Sequence, residues 1–169
     1  MSRLRRLGTD DKSLVAFELD GVTYAIDIRG VREIINPLPL VPLVQAPPSV
    51  VGVADHRGAV VPVLDLRSRL GLAPVAPTRR TKWIVIARDE RLIALIVDAV
   101  KDVFGQGAAD ERQVPLLGAS DERRGISAVY AYGGGLVFVL DVDRVASPAE
   151  ELDVEALKRV VSEAPGGGP

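Results

Sequence analysis

Cysteine is absent from the 169 residues, and histidine occurs once, as His56. Without cysteine the chain can form neither a disulfide nor a thiolate metal site, and one histidine cannot supply the ligand set of a zinc centre. No serine stands in the Gly-x-Ser-x-Gly arrangement of a nucleophile elbow, and the glycine run 133–135 is not followed by the Lys-Ser/Thr of a phosphate loop. These absences predict a protein that is not an enzyme and that holds neither a metal nor a cofactor.

Charge of one sign and long apolar runs are also missing. The 21 basic and 23 acidic side chains give a net charge of −2, whereas a nucleic-acid surface normally carries clustered basic excess. No apolar stretch approaches the roughly 20 residues that a membrane-spanning helix needs, and the N-terminus lacks the apolar segment of a signal peptide. We therefore expect a cytoplasmic protein that neither binds nucleic acid nor inserts directly into a membrane.

The chain is instead rich in residues that favour strands. Aromatic residues make up only 4% of a sequence that is 47% hydrophobic, so the core must be built mainly from Val, Leu, Ile and Ala. Four pairs of β-rich segments flank short turns that contain Asp or Gly, which is the pattern of antiparallel hairpins. The paired segments are 14–19 with 22–28, 50–54 with 59–64, 83–87 with 92–97, and 126–132 with 136–141. The fold class is predicted to be mainly all-β.

Three regions are predicted along the chain. Residues 1–12 are polar and are expected to form a flexible N-terminal tail, and residues 13–146 contain the paired strands. Residues 147–169 are expected to form a C-terminal helix, over 149–164, and a disordered tail. The helix is predicted because its apolar residues share one helical stripe, made of Leu152, Ala156, Leu157, Val160 and Val161.

An internal repeat is the most informative feature of the sequence. With a shift of 69 positions, 24–26 fall on 93–95 and 31–34 on 100–103. With a shift of 76, 61–66 fall on 137–142, and the order of the blocks is kept. The repeat predicts two similar units of about five strands, each closed into a barrel that leaves no free edge. Two barrels side by side create a groove that suits a helical partner.

The turn in segment 52–66 carries the most specific signal. Gly58 permits a backbone conformation closed to other residues, and Arg57 precedes it, where its planar guanidinium can meet a partner carboxylate or carbonyl. The alternative is that Arg57 only braces the local fold. Pro62 predicts an edge strand or a bulge because proline lacks a backbone donor. His56 is predicted to be an exposed turn residue rather than a general base, and a short helix is expected over 65–70.

These motifs resemble those of the CheW family. Segment 52–66 is similar to the family pattern Gly-Val-x-Asn-Leu-Arg-Gly followed by Pro-Val-x-Asp-Leu, with Asp55 and His56 in place of Asn and Leu. Residues 14–34, 92–103 and 136–145 resemble, in the same order, the opening hairpin, the Val-Asp-x-Val segment and the closing strand of the family. The likeness covers about residues 13–146, which defines a CheW-like domain.

The resemblance implies two intertwined five-stranded SH3-like barrels with short helices. It also implies a non-catalytic adaptor that couples chemoreceptors (methyl-accepting chemotaxis proteins) to the regulatory domain of a CheA-type histidine kinase in chemotaxis or motility signalling. Receptor contacts in the family lie in the groove between the barrels, and they correspond here to Val31, Glu33, Ile34, Gly52, Arg57, Val97 and Val100. The kinase-facing surface belongs mainly to the second barrel, and the resemblance does not identify its residues.

Two alternatives stay open at this point. Asp55 adds negative charge beside Arg57, which is compatible with a paralogous coupling protein of a specialised chemosensory system that binds the kinase but not the receptor. A small-ligand-binding β-barrel is the other alternative, although the sequence has no nucleophile–base pair and no cofactor motif to support it.

Overall fold

The computed structural model describes residues 13–113 and 125–150. These residues form eleven strands, two α-helices and two 3-10 turns. The strands are β1 (Ser13–Leu19), β2 (Val22–Asp27), β3 (Val31–Ile35), β4 (Val50–His56), β5 (Ala59–Asp65), β6 (Lys82–Arg88), β7 (Arg91–Val97), β8 (Ala99–Gly105), β9 (Asp110–Arg112), β10 (Ile126–Tyr132) and β11 (Gly135–Leu140). The helices are α1 (Leu66–Arg69) and α2 (Val142–Glu150), and the 3-10 turns are Ile28–Gly30 and Gln106–Ala108.

The first and third hairpins turn through equivalent two-residue loops. Asp20 and Gly21 connect β1 to β2 with φ angles of 53° and 77°, and Asp89 and Glu90 connect β6 to β7 with φ angles of 46° and 68°. Positive φ at both central residues matches the right-handed twist of the paired strands. The hairpins predicted from these turns are therefore confirmed, and Glu90 adopts a conformation that glycine adopts at the equivalent position.

The strands form two sheets, and each sheet draws on both halves of the chain. The six-stranded sheet has the order β8-β1-β2-β11-β10-β9, and the five-stranded sheet has the order β3-β6-β7-β5-β4. Neighbouring strands are antiparallel except for the pairs β2–β11 and β5–β7, which are parallel. We call the five-stranded sheet the first barrel and the six-stranded sheet the second barrel. The predicted pair of intertwined SH3-like barrels is confirmed, and the short β9 is an added sixth strand at one edge.

The internal repeat is reproduced down to the irregularities of the ladders. Replacing each strand by its repeat partner converts the order β3-β6-β7-β5-β4 into β8-β1-β2-β11-β10. The β3–β6 ladder skips Arg32 and the β8–β1 ladder skips Lys101, two residues 69 positions apart. The β4–β5 ladder skips Val51 and the β10–β11 ladder skips Ser127, which are 76 apart. The third strand of each repeat pairs with the first hairpin of the other repeat.

Several strands are buried on both faces because the barrels share a core. In β6, Trp83 and Val85 point into the interior of the first barrel, whereas Ile84 and Ile86 belong to a cluster between the two sheets. Phe17 of β1 joins the same shared cluster. A strand covered on both sides needs a continuous apolar run rather than an alternating one. This explains why 14–17 and 83–87 contain no charged residue.

A buried arginine ties the first hairpin to the junction between β7 and β8. Arg67 of α1 is only 6% exposed. Its Nη1 donates to Asp98 Oδ2 at 2.5 Å, its Nη2 to Asp20 Oδ1 at 3.0 Å, and its Nε to the Ala73 carbonyl at 2.8 Å. A buried guanidinium is tolerated only when its donors are satisfied in this way.

Two details differ from the sequence-based expectations. Pro62 was expected at an edge or a bulge, and this is wrong. Strand β5 lies between β4 and β7, and the bulge of the β4–β5 ladder falls at Val51, whereas Pro62 pairs regularly with Val53. Proline is tolerated there because the parallel ladder to β7 begins one residue later, at Val63. Helix α2 begins at Val142, ahead of the predicted start at Ala149, because the Asp141 carboxylate accepts the Asp143 N–H and caps it.

Other expectations fall outside the described residues. These are the flexible tail predicted for 1–12, the apolar stripe predicted over 152–161 and the disordered tail predicted at the C-terminal end of 147–169. Within the described ranges, neither helix has the length and apolar character needed to cross a bilayer.

Candidate functional site

The turn between β4 and β5 presents an arginine in an uncommon backbone conformation. Arg57 and Gly58 have φ angles of 55° and 85°. The left-handed region costs a non-glycine residue roughly 1–2 kcal/mol. The Asp55 carboxylate accepts the Gly58 N–H at 2.8 Å and stabilises the turn. An asparagine has the same acceptor, so Asp55 fulfils the local role of the asparagine in the family pattern.

Glu33 of β3 holds this turn from across the first barrel. Its Oε1 accepts a hydrogen bond from Arg57 Nη2 at 2.8 Å, and its Oε2 lies 3.1 Å from His56 Nε2. The side chains of Glu33 and His56 are 19% and 11% exposed, whereas that of Arg57 is 75% exposed. The contacts join the two edge strands, β3 and β4, and leave most of the guanidinium facing solvent.

The second barrel has an equivalent contact without the arginine. The Tyr132 hydroxyl donates to Asp102 Oδ2 at 3.0 Å, and the Tyr132 ring stacks on Phe104 with a centroid distance of 3.9 Å. Shifts of 69 and 76 place Glu33 on Asp102 and His56 on Tyr132. The hydrogen bond to Asp102 raises the pKa of the Tyr132 phenol, because it stabilises the protonated form. At the position equivalent to Arg57 stands Gly133, whose φ is 63°.

Gly52 is required by a close backbone approach. Its φ is 157°, and a Cβ atom at this position would lie 2.3 Å from the Val41 carbonyl oxygen. Val41 exchanges two backbone hydrogen bonds with Val53, at 2.8 and 2.9 Å. Gly52 therefore lets the proline-bearing segment 36–49 lie against β4.

The seven residues expected at the receptor contact divide into an ion pair, a partly buried margin and a buried layer. Glu33 and Arg57 contact each other directly, and only Arg57 is largely exposed. Val31 and Val100 are partly buried at the margin of the shared core. The remaining three, Ile34, Gly52 and Val97, are buried.

Sequence reasoning missed the role of His56. It was expected to be an exposed turn residue, but it is the last residue of β4, and its imidazole is largely buried against Glu33. The repeat contained the signal, because it aligns His56 with Tyr132 and Glu33 with Asp102. When a carboxylate and a polar ring occur at equivalent positions of both repeats, they indicate that each barrel has the same contact between its carboxylate and its ring.

The arrangement presents a group suited to recognition. Within 13–113 and 125–150, no three His, Cys, Asp or Glu residues are grouped closely enough to hold a metal ion. The accessible chemistry at the turn is a guanidinium with donors available to planar acceptors. Such a group binds a carboxylate or a main-chain carbonyl of a partner.

Comparison with known proteins gives a consistent result. The profile of the CheW-like domain family matches residues 13–150. The chain is 33% identical over 147 residues to the chemotaxis protein CheW of Rhizobium meliloti (strain 1021), covering 87% of this chain and 94% of that protein. It is 29% identical over 147 residues to a probable chemotaxis protein CheW of Rhizobium etli, covering 87% and 95%.

A solved structure agrees with the fold. The crystal structure of the scaffolding protein TtCheW from Thermoanaerobacter tengcongensis superposes with a TM-score of 0.67. The sequence identity is 21%, and the match covers 78% of this chain and 85% of that one. At this level of identity the likeness concerns the two-barrel architecture.

Proposed function

This chain belongs to the CheW-like family and is a chemotaxis coupling adaptor, and we propose that it joins the cytoplasmic tip of a chemoreceptor to the regulatory domain of a CheA-type histidine kinase. It does so in the cytoplasm and without chemistry of its own. The receptor binds in the groove between the barrels, including the Arg57 turn of the first barrel, and the kinase binds mainly to the second barrel.

The backbone of Arg57 is the observation that carries this proposal. An arginine with positive φ is unfavourable relative to glycine, and the equivalent turn of the second barrel has Gly133. Glu90 of the β6–β7 turn shares this backbone feature, but the Arg57 guanidinium is also fixed by Glu33 of β3. An unfavourable backbone retained together with a fixed side chain points to a role for that side chain. Because this side chain is 75% exposed, that role is contact with a partner.

The receptor contact then consists of a polar pair and an apolar margin. Glu33 and Arg57 provide the polar part, and Val31 and Val100 provide the apolar part. The other three residues are buried and contribute indirectly. The side chains of Ile34 and Val97 support the apolar margin from the core, and Gly52 allows the segment 36–49 to lie beside β4. A small apolar centre with a polar rim is typical of a transient interface.

Calorimetric titration tests the proposal. The purified protein is titrated with a receptor cytoplasmic fragment and, separately, with the regulatory domain of the kinase from the same organism. The Arg57→Gly variant removes the side chain and relieves the backbone strain. Glu90→Gly is the matched control, because it makes the same backbone change at an exposed turn of the same barrel.

We expect Arg57→Gly to weaken receptor binding at least about tenfold, as for the loss of a charge-assisted contact, and to leave kinase binding unchanged. Glu90→Gly is expected to bind both partners like the unsubstituted protein. Binding to the kinase alone by the unsubstituted protein would replace the proposal with a coupling protein that does not engage the receptor. Binding to neither partner would overturn it.

A further inference from the structure

We propose that His56 sets the availability of Arg57 for its partner, by occupying the Glu33 oxygen that the arginine would otherwise also bind. This inference rests on the proposed receptor contact at Arg57. His56 is thus a positioning residue: it acts on the partner through Glu33 and Arg57.

The first step is the division of one carboxylate between two donors. Arg57 Nη2 reaches Glu33 Oε1 at 2.8 Å, and His56 Nε2 reaches Glu33 Oε2 at 3.1 Å. A carboxylate oxygen only accepts, so the imidazole nitrogen facing it carries a proton. Each oxygen is therefore committed to a different side chain.

The second step is a comparison with the pair formed by Arg29 and Asp27. Arg29 Nε lies 3.1 Å from both carboxylate oxygens of Asp27, and Arg29 Nη2 lies 2.6 Å from Oδ2. This forked geometry is the preferred one for an arginine and a carboxylate. Arg57 and Glu33 share a single hydrogen bond instead, because His56 holds the second oxygen.

The third step is the consequence for the guanidinium. An arginine has five N–H donors, and Glu33 receives one hydrogen bond from Arg57 in the described structure. The side chain is anchored at one point and 75% exposed, so the remaining donors face outward. A partner carboxylate or carbonyl can engage them without first breaking a forked ion pair.

The second barrel shows that a ring-to-carboxylate contact does not require an arginine. Tyr132 donates to Asp102, but the position equivalent to Arg57 is Gly133. Closing the barrel is therefore the general role of the contact, and controlling an arginine is specific to the first barrel.

Two substitutions separate these roles. His56→Leu removes the donor, and His56→Gln restores a neutral amide donor of similar reach. Tyr132→Phe is the matched control, because it removes the equivalent contact from the other barrel. Each variant is measured in two ways: by the NMR signals and hydrogen exchange of the Arg57 side-chain N–H groups in the free protein, and by calorimetric titration with the receptor fragment. Thermal unfolding of each variant identifies any that does not fold.

In the free protein, His56→Leu is expected to let Glu33 fork onto Arg57. The Arg57 Nε–H then shifts downfield and exchanges more slowly with solvent, whereas His56→Gln and Tyr132→Phe leave it unchanged. Receptor binding is expected to weaken about fivefold in His56→Leu, the equivalent of one modest ion pair that must be opened. His56→Gln is expected to restore most of the affinity.

Two results would overturn the inference. One is an Arg57 N–H spectrum unaffected by His56→Leu in a folded variant, and the other is equal loss of affinity in His56→Leu and His56→Gln. Failure of the unsubstituted protein to bind the receptor would overturn the proposed function instead, and the Arg57 spectra of the free protein would still decide how His56 acts. If His56→Leu does not fold, His56→Ala, which also removes the ring donor from Glu33, gives the same N–H comparison.

Discussion

At the scale of single residues, Arg57 combines an unfavourable backbone conformation with an exposed side chain. We expect Arg57→Gly to change the free energy of unfolding by less than about 1 kcal/mol, because the relief of left-handed strain offsets the greater flexibility of glycine in the unfolded chain. The lost pair with Glu33 contributes little, since its arginine is exposed. Urea unfolding measures the change, with Glu90→Gly alongside as the reference. A loss of more than about 2 kcal/mol would show that Arg57 mainly braces the fold.

A second residue makes a prediction about pH. Asp65 caps α1 by accepting the Arg67 N–H at 3.0 Å, and burial raises the pKa of its carboxyl. A carboxyl with a raised folded-state pKa disfavours folding once it is ionised, so stability rises as the pH falls from the folded value to the unfolded value of about 3.9. Asp65→Asn keeps the cap without the charge, and we expect it to be at least as stable as the unsubstituted protein at neutral pH.

Unfolding by urea between pH 3 and pH 8 tests this expectation. The advantage of Asp65→Asn should shrink as the pH falls and disappear once the aspartate is protonated in both states. A variant that is less stable at pH 7 and equally stable at low pH would contradict it, because the sign of the linkage would then be reversed.

At the same scale, the contact between Glu33 and His56 could not be predicted from a local pattern. The two residues are 23 positions apart and meet only when the first barrel closes. Arg57 was identified because its turn has a local signature, whereas His56 lacks one. The contact of His56 could have been predicted only by comparing its position in the repeat with that of Tyr132, and not from its residue type.

At the scale of elements, the segment 36–49 depends on one glycine. Gly52→Ala would place a Cβ atom 2.3 Å from the Val41 carbonyl oxygen. Because this oxygen belongs to the backbone, it cannot move away without displacing the segment 36–49. We expect a loss of about 2–4 kcal/mol of unfolding free energy and faster amide exchange at Val41 and Val53. Gly107→Ala is the control, because a Cβ there meets nothing within 4 Å. Equal effects of the two substitutions would contradict this account.

The hairpins were predictable because their turns are local. Asp20-Gly21 specifies a tight connection whatever the rest of the chain does, and the second unit repeats its geometry at Asp89. Pro62 was misjudged because the missing donor was treated as a property of the whole strand. A missing N–H donor is unfavourable only at a position where the sheet requires a backbone hydrogen bond, and the ladder from β5 to β7 starts at Val63.

At the scale of the whole molecule, the exchange of strands between the barrels could not be inferred from the repeat. The repeat makes β1 and β6 alike, so β3 has two chemically similar strands with which to pair. In the structure β3 lies beside β6 rather than β1, because the chain crosses from one barrel to the other at Ile28–Gly30. The similarity between the two units does not predict this pairing.

This exchange predicts how a divided chain behaves. A cut within the stretch 73–80 gives one fragment with β1 to β5 and another with β6 to β11, and neither contains all the strands of a barrel. We expect each fragment alone to lack stable tertiary structure, because the shared core is missing. Mixed together, they should assemble into a one-to-one complex, measured by size-exclusion chromatography and near-ultraviolet circular dichroism. A fragment that folds alone as a monomer would contradict the expectation.

The exchanged strands also give the molecule a mechanical property. Separating the two repeats of the sequence would require β3 to be sheared from β6 and β8 from β1 at the same time, along two ladders of several hydrogen bonds each. The barrels are joined to each other by two short connections, at Ile28–Gly30 and at Asp98, and by the shared apolar cluster, whose close packing leaves little room for sliding. We therefore expect the two barrels to move as one rigid body, so that a displacement imposed at the Arg57 turn would be transmitted to the far side of the molecule.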